Sequence, residues 1–440
     1  MSLTQLLALS LAVCALAWAF SWRLTVDRPT SPLGLLHLLF AATILWRPTL
    51  LLFGLDGLFP EQFHGAREFE FAARTLTIST LWLVTFDVAY LYSKRLGPIL
   101  SKPFPSARSV DERLLERAAI ALTVAATLAT VGMWIRFGGP AELIEAAKFE
   151  KTVGFLLALR AFPVVATIIN AAVGLHQLIT VGDRRKAVTY FALSAFTAGL
   201  SFTWGARDSV VLVAIVLLFG PLSQRDFSAR DWRRVVIGGV SVIGGIVLLR
   251  VARDLIAAPS LSPAIAGQSI WRQVSVAANL TQFDAFVLAV RDAGTRYSFS
   301  GVGEFTNGFL AAIPGLEPDQ YQVTALRYAQ EYEPTRANGR PLSSIGDWYF
   351  SLGIVGVAIG GLLSGLLYRG IATAYRSGTS ASDFVIGTFV VLSIAQLGVW
   401  ASIFIVYRSF FIPLILVIVA LRLYSSRQPS LNETELVKGS

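Results

Sequence analysis

The residues of this chain that suit chemistry are charged side chains at the ends of apolar runs. Arg207-Asp208 follows Trp204-Gly205 in a tight turn between two such runs. A charge pair at that depth must face water, headgroups or a protein cavity. It serves either as a salt-bridged anchor of the turn or as a guanidinium fork that grips a phosphate. Arg160 lies within another run, about a turn and a half from its end. A cation there is either a ligand or a side chain that snorkels to the surface. Arg250 and Arg253 close a further run beside Asp254, and one of the two arginines is read as an interface anchor. Asp347 stands where a long polar segment meets an apolar run; Arg340 precedes it, and the aromatics Trp348 and Tyr349 follow. An aspartate in that place can cap the helix by accepting backbone N–H bonds, act as a general base or substrate hydrogen-bond acceptor, or do both.

Several other chemistries lose ground on composition. Cys14 is the single cysteine, so an intrachain disulfide and a thiolate metal cluster are excluded. His37, His64 and His176 are far apart in sequence, and a histidine metal site has little support. There is no GxxxxGK[ST] phosphate loop, HExxH or GxSxG string. Gly301-Val302-Gly303 lacks the third glycine of a dinucleotide loop. The net charge of +9 is scattered between apolar runs and forms no continuous basic patch, which argues against nucleic acid as a partner.

The elements that must position these residues are membrane helices. The chain is 54% hydrophobic and only 15% charged, and its mean hydropathy is +0.62. That much apolar surface exceeds what one soluble core can hide. A spanning helix needs roughly 20 mostly apolar residues. Eleven runs qualify: about 4–20, 33–55, 75–92, 114–135, 155–179, 187–204, 209–222, 235–252, 348–368, 383–402 and 409–424. The second is interrupted by Arg47-Pro48 and reads as a kinked span or as a helix plus a re-entrant piece. The expected fold is an all-α polytopic membrane protein. Residues 1–252 hold eight spans, 253–346 form a large, partly helical extracytoplasmic loop, 347–424 hold three more spans, and 425–440 form a cytoplasmic tail.

Orientation follows from the short loops. Arginine and lysine are denser in one alternating set, among them Lys94, Arg95, Arg184, Arg185, Lys186, Arg225, Arg230, Arg233 and Arg234. That set should face the cytoplasm. The long segment is then outside, as is His64, which shares the first outer loop with Glu61, Glu68 and Glu70 and is either an acid/base or an ordinary exposed histidine. Within the long segment Ile270, Val274, Ala277, Leu280, Phe283, Val287 and Val290 recur at helical spacing. The helix they form either packs on the bundle or lies at the headgroup interface.

Three strings carry a resemblance to the O-antigen polymerase (Wzy-type) and oligosaccharide repeat-unit polymerase family. One is G-x-P-x-S-x-[IL]-G-[DE]-x-Y…G-x-x-G at Gly339–Gly356, another is G-x-R at Gly205–Arg207, and the third is Gly138-Gly139-Pro140 at the start of an outer loop. Their order and the long penultimate outer loop are also similar, so the resemblance spans most of the chain. One departure is Pro314-Gly315-Leu316-Glu317-Pro318, where the family often has Pro-Arg followed by Lys-Pro. The resemblance implies a bacterial inner-membrane glycosyltransferase. It would move a glycan from undecaprenyl diphosphate onto a hydroxyl of the next lipid-linked repeat unit, alongside chain-length regulator and flippase proteins. Arg207 and Asp347 are then the expected catalytic pair. Arg160, Arg253, Asp208, Tyr349 and Arg340 are the expected substrate contacts, and neither cofactor nor metal is expected. Two rivals are an O-antigen ligase with a different acceptor, and a non-enzymatic flippase, which would carry ionisable groups along a central path through many spans.

The topology yields a direct test. Cysteines introduced into residues 253–346 should react with an impermeant maleimide in intact cells or spheroplasts. Labelling of Ser430→Cys but not of the loop sites would reverse the orientation.

Overall fold

The computed structural model describes residues 2–27, 31–53, 68–104, 112–149, 159–204, 282–312 and 343–375, with single positions at 213, 216, 231, 233, 237 and 390. Among the described residues there is no β-strand, and six helices are long and apolar enough to cross a membrane. They are α1 (Leu3–Thr25), α2 (Pro32–Leu52), α3 (Glu68–Tyr92), α4 (Glu112–Phe137), α6 (Ala161–Val181) and α10 (Ser344–Ala374). Four further described helices have ten or more residues: α5 (Pro140–Phe149), α7 (Arg184–Thr203), α8 (Gln282–Asp292) and α9 (Gly303–Ala312). The run expected as a sixth span is the helix α7, but it is more polar than the six. Large apolar side chains such as Leu16, Phe20, Leu128 and Ile135 point outward, as they would toward lipid.

Local sequence explains the helix ends. Ser2 and Gln5 form a reciprocal capping box at the start of α1. Ser31 caps α2 ahead of Pro32, a residue whose missing N–H costs nothing in the first turn. Pro48 is harder to place, because inside a helix it lacks one hydrogen bond and crowds the carbonyl a turn earlier. The chain accommodates it with a π-helical segment at Ala41–Leu45, where the Trp46 N–H reaches the Ala41 carbonyl. The second run is therefore one continuous helix.

Two sets of helices organise the described core. In one, α6 runs antiparallel to α4 and α7: Asn170 donates to Thr123, Gln177 to Glu116, and Thr167 to Thr197. In the other, α1, α3 and α10 lie parallel. Gly361 and Gly365 on α10 make this approach close: an added Cβ would stand 2.6 Å from the Trp82 carbonyl and 2.4 Å from the Phe86 carbonyl. Only a glycine tolerates such backbone proximity.

The helix α8 fills the centre. Phe283, Phe286, Leu288 and Ala289 are all buried, and so is Asp284. The interfacial reading of this segment therefore fails for the described part, because α8 offers no polar face to headgroups. Its neighbours are α3, α10 and the π segment of α2. The residue that lets an aspartate go inside is Arg47, itself fully buried. Its Nε donates to Asp284 Oδ1 at 3.1 Å and its Nη2 to Oδ2 at 2.6 Å. Such a forked, charge-assisted pair is stable only while both members are present.

Arg47→Met should destabilise the protein by about 3–5 kcal/mol, because it leaves a buried carboxylate without its counter-charge. The double variant Arg47→Met/Asp284→Leu should recover most of that loss. Thermal unfolding of purified protein in detergent measures both, and a single variant as stable as wild type would show that the pair holds nothing together.

Candidate functional site

Asp347 lies in the first turn of α10 and is fully buried. It is not the helix cap. Ser343 takes that place, its Oγ accepting from the Gly346 N–H at 3.2 Å. Asp347 instead donates its backbone N–H to the Ser343 carbonyl and accepts the Ser351 hydroxyl on its own carbonyl. The N-cap of α10 is therefore a serine and not this aspartate. Ser343 is held at φ 85° and ψ 149° and is the one non-glycine residue with positive φ among those described. That region of backbone space is almost confined to glycine and costs of order 1–3 kcal/mol for other residues. Beside it the Ser344 hydroxyl is buried with no hydrogen-bond partner among the described residues. A strained serine, an unsatisfied hydroxyl and a buried carboxylate therefore stand together inside the Gly339–Gly356 string.

A break in α10 shapes the surroundings. Leu352 and Gly353 leave the helical region, Gly353 with φ 62° and ψ −145°. The turn carries Trp348 back against its own helix, so that a Cβ at Gly356 would strike the Trp348 carbonyl and one at Gly360 would strike the Trp348 ring. Carbonyls freed by the break find donors in the segment between α8 and α9. The Ser300 N–H bonds the Phe350 carbonyl at 3.2 Å, and the Gly301 N–H bonds the Ser351 carbonyl at 2.9 Å. Aromatic contacts join the same pieces: Tyr349 meets Phe299 edge-on at 6.3 Å, and Trp348 meets Phe305 at 4.3 Å. Tyr349 is half-buried there rather than a free interfacial anchor.

Arg160 is expected within a span whose residues 155–158 lie outside the described residues. It occupies the N-cap position of α6 and is half-buried. The helix from Ala161 to Val181 is already long enough to cross, so the arginine stands at its boundary. Around it the structure gathers other points picked out in the sequence. Gly138 and Gly139 turn the chain with φ of 96° and 155° into α5. Met133, Leu143 of α5 and Trp204 form one buried cluster, with Leu159 packed against it. The Trp204 indole also donates to Thr130. Leu159 precedes Arg160, so the Gly-Gly-Pro turn, Arg160 and Trp204, the residue before the Gly-x-Arg string, share one end of one helix set. Arg207, Asp208, Arg253 and Arg340 lie outside the described residues.

Sequence reasoning passed over Asp284 and treated Arg47 only as a break in a span. A signal was present. Both are ionisable residues in otherwise apolar helical stretches, and opposite charges of that kind tend to pair.

No family model, curated protein or solved structure matches the chain.

Gly353→Ala should cost about 1–3 kcal/mol, because its dihedrals are nearly forbidden to a residue with a Cβ. The space itself is adequate, since the nearest atoms of Phe299 would be 3.5 Å away. A thermal shift of the variant measures the strain. An unchanged melting temperature would mean that the break in α10 does not depend on this glycine.

Proposed function

We propose that the chain is a polymerase of lipid-linked oligosaccharide repeat units, acting at the outer face of a bacterial inner membrane. The observation that carries this reading is Asp347: a buried carboxylate in the first turn of a helix that Ser343 caps, set inside the string that resembles the repeat-unit polymerases. In the proposed reaction a hydroxyl of the acceptor repeat unit attacks the anomeric carbon of the donor glycan. A new glycosidic C–O bond forms as the bond to the undecaprenyl diphosphate oxygen breaks, and the anomeric carbon inverts. Asp347 takes the proton of the attacking hydroxyl. Arg207 and Arg160 stabilise the charge that develops on the departing diphosphate, which asks for fixed cations rather than for a bond-making group. Tyr349, Arg340, Arg253 and Asp208 hold glycan or phosphate. In this reading the end of the bundle that begins α6 and α10 faces outward, where the lipid-linked substrates meet.

Deletion of the gene should abolish the ladder of surface polysaccharide on gels while single repeats persist. The capping geometry sharpens the test at Asp347. Asp347→Asn leaves the Ser343 cap intact, so the variant should insert normally yet polymerise poorly. Arg207→Ala should raise the barrier by about 2–4 kcal/mol, by analogy with loss of an oxyanion donor, and Arg207→Lys should rescue only in part because an ammonium makes no fork. Wild-type polymer output from Asp347→Asn would end the proposal of a catalytic carboxylate.

A further inference from the structure

A second polar cluster lies near the other end of the bundle, where α1 stops and α2 begins. His37 of α2 is 1% exposed. Its Nε2 stands 3.0 Å from Thr25 Oγ1 and 3.4 Å from Ser21 Oγ, both on α1. Ser21 in turn bonds Asp87 Oδ1 of α3 at 2.6 Å. Three helices are thus tied by one chain of hydrogen bonds.

Counting protons fixes the direction of each bond. A hydroxyl has one hydrogen to give. Thr25 gives its hydrogen to the Ser21 carbonyl at 2.7 Å. Ser21 gives its hydrogen to the Asp87 carboxylate. Both hydroxyl oxygens therefore turn lone pairs toward His37 Nε2, and Nε2 must carry the hydrogen. The other ring nitrogen, Nδ1, is buried with no hydrogen-bond partner among the described residues. A neutral ring leaves a bare lone pair at Nδ1, and that lone pair is a vacant place for a proton. The ring is otherwise enclosed by aromatics, with Trp22 at 5.9 Å and Phe86 at 6.5 Å, and the Trp18 indole donates to the His37 carbonyl.

We propose that His37, Ser21 and Asp87 form a proton-binding site, separate from the glycosyl-transfer site and independent of that reading. One proton adds to His37 Nδ1, forming an N–H bond and an imidazolium whose counter-charge is the Asp87 carboxylate across Ser21. The same proton count is reached when Nε2–H passes to Ser21 Oγ as Ser21 passes its hydrogen to Asp87, leaving a neutral ring and a protonated carboxyl. Asp87 is half-buried and gives the cluster its contact with the surroundings. The packed helices carry other titratable and charged groups: Cys14 on α1, Arg47 on α2, Glu68, Glu70, Arg74, Tyr90 and Tyr92 on α3, and Asp347, Tyr349, Tyr368 and Arg369 on α10. Arg369 lies over the Tyr90 ring at 5.2 Å, and Tyr368 packs edge-on against Phe86. Arg23 and Asp27 are exposed at the end of α1. Asp87 is the acidic group bonded into the chain that reaches the imidazole. A purely structural link would be served as well by an amide. An ionisable pair with an orphaned ring nitrogen is what proton uptake requires.

Nitrogen NMR of the full-length protein, carrying isotope-labelled histidine in lipid bilayers, tests the site. The chain has three histidines, and the signals lost in His37→Gln belong to His37. If that variant does not fold, a His64→Gln/His176→Gln double variant isolates the same signals. The expected result at neutral pH is a protonated Nε2 and a bare Nδ1, with the ring becoming doubly protonated on acidification. In Asp87→Asn that transition should move to lower pH by about one unit or more, because a nearby opposite charge is removed. Ser21→Ala should move it in the same direction. A hydrogen on Nδ1 rather than Nε2 at neutral pH would overturn the proposal. So would a ring that never charges, or a transition left in place by Asp87→Asn and Ser21→Ala.

Discussion

An ion pair with no access to water constrains everything around it. Arg47 and Asp284 are each fully buried and meet through two parallel hydrogen bonds. Neither charge could be taken from water alone, since an isolated buried ion costs several kcal/mol. Their partnership fixes the rotation of α8, because Asp284 must point at α2. It also fixes the depth of α2, because Arg47 must reach the level of α8. The π segment at Ala41–Leu45 belongs to the same arrangement. It absorbs Pro48 without ending the helix and so keeps Arg47 on a continuous backbone. With α8 held in register, its apolar side chains fill the space between α3 and α10.

The helix α10 shows how a bundle can contain a break and remain satisfied. At 31 residues it is longer than a membrane crossing requires. The part after Gly353, residues 354–374, rises about 30 Å, the thickness of the hydrocarbon. The part before the break, residues 344–351, is turned aside and carries Asp347. Broken helices survive in a membrane only when neighbouring backbone or side chains take up the freed carbonyls. Here Ser300 and Gly301 do so, which docks the segment between α8 and α9 onto the break. The buried pair, the docked segment and Asp347 therefore belong to one connected unit. A change in the position of α8 would be felt at the carboxylate.

The chain alone settled much of this. Apolar runs of sufficient length fix where helices form, because in lipid a backbone has to satisfy its own hydrogen bonds. The helices α1, α3, α4 and α6 stand close to where run length puts them. The Gly339–Gly356 string pointed to Asp347, and the structure buries that residue. Tertiary structure decided the rest. Sequence could not show that Ser343 and not Asp347 caps α10, because the cap sits at a strained φ that a serine rarely adopts. Nor could it place Arg160 at a helix boundary, since the start of α6 is not marked by a change in hydropathy. Above all it could not pair Arg47 with Asp284. Those residues are 237 positions apart, and local pattern carries no information across such a distance. Only the packed bundle brings the two charges within reach, and that contact helps an arginine and an aspartate to be tolerated in apolar helices.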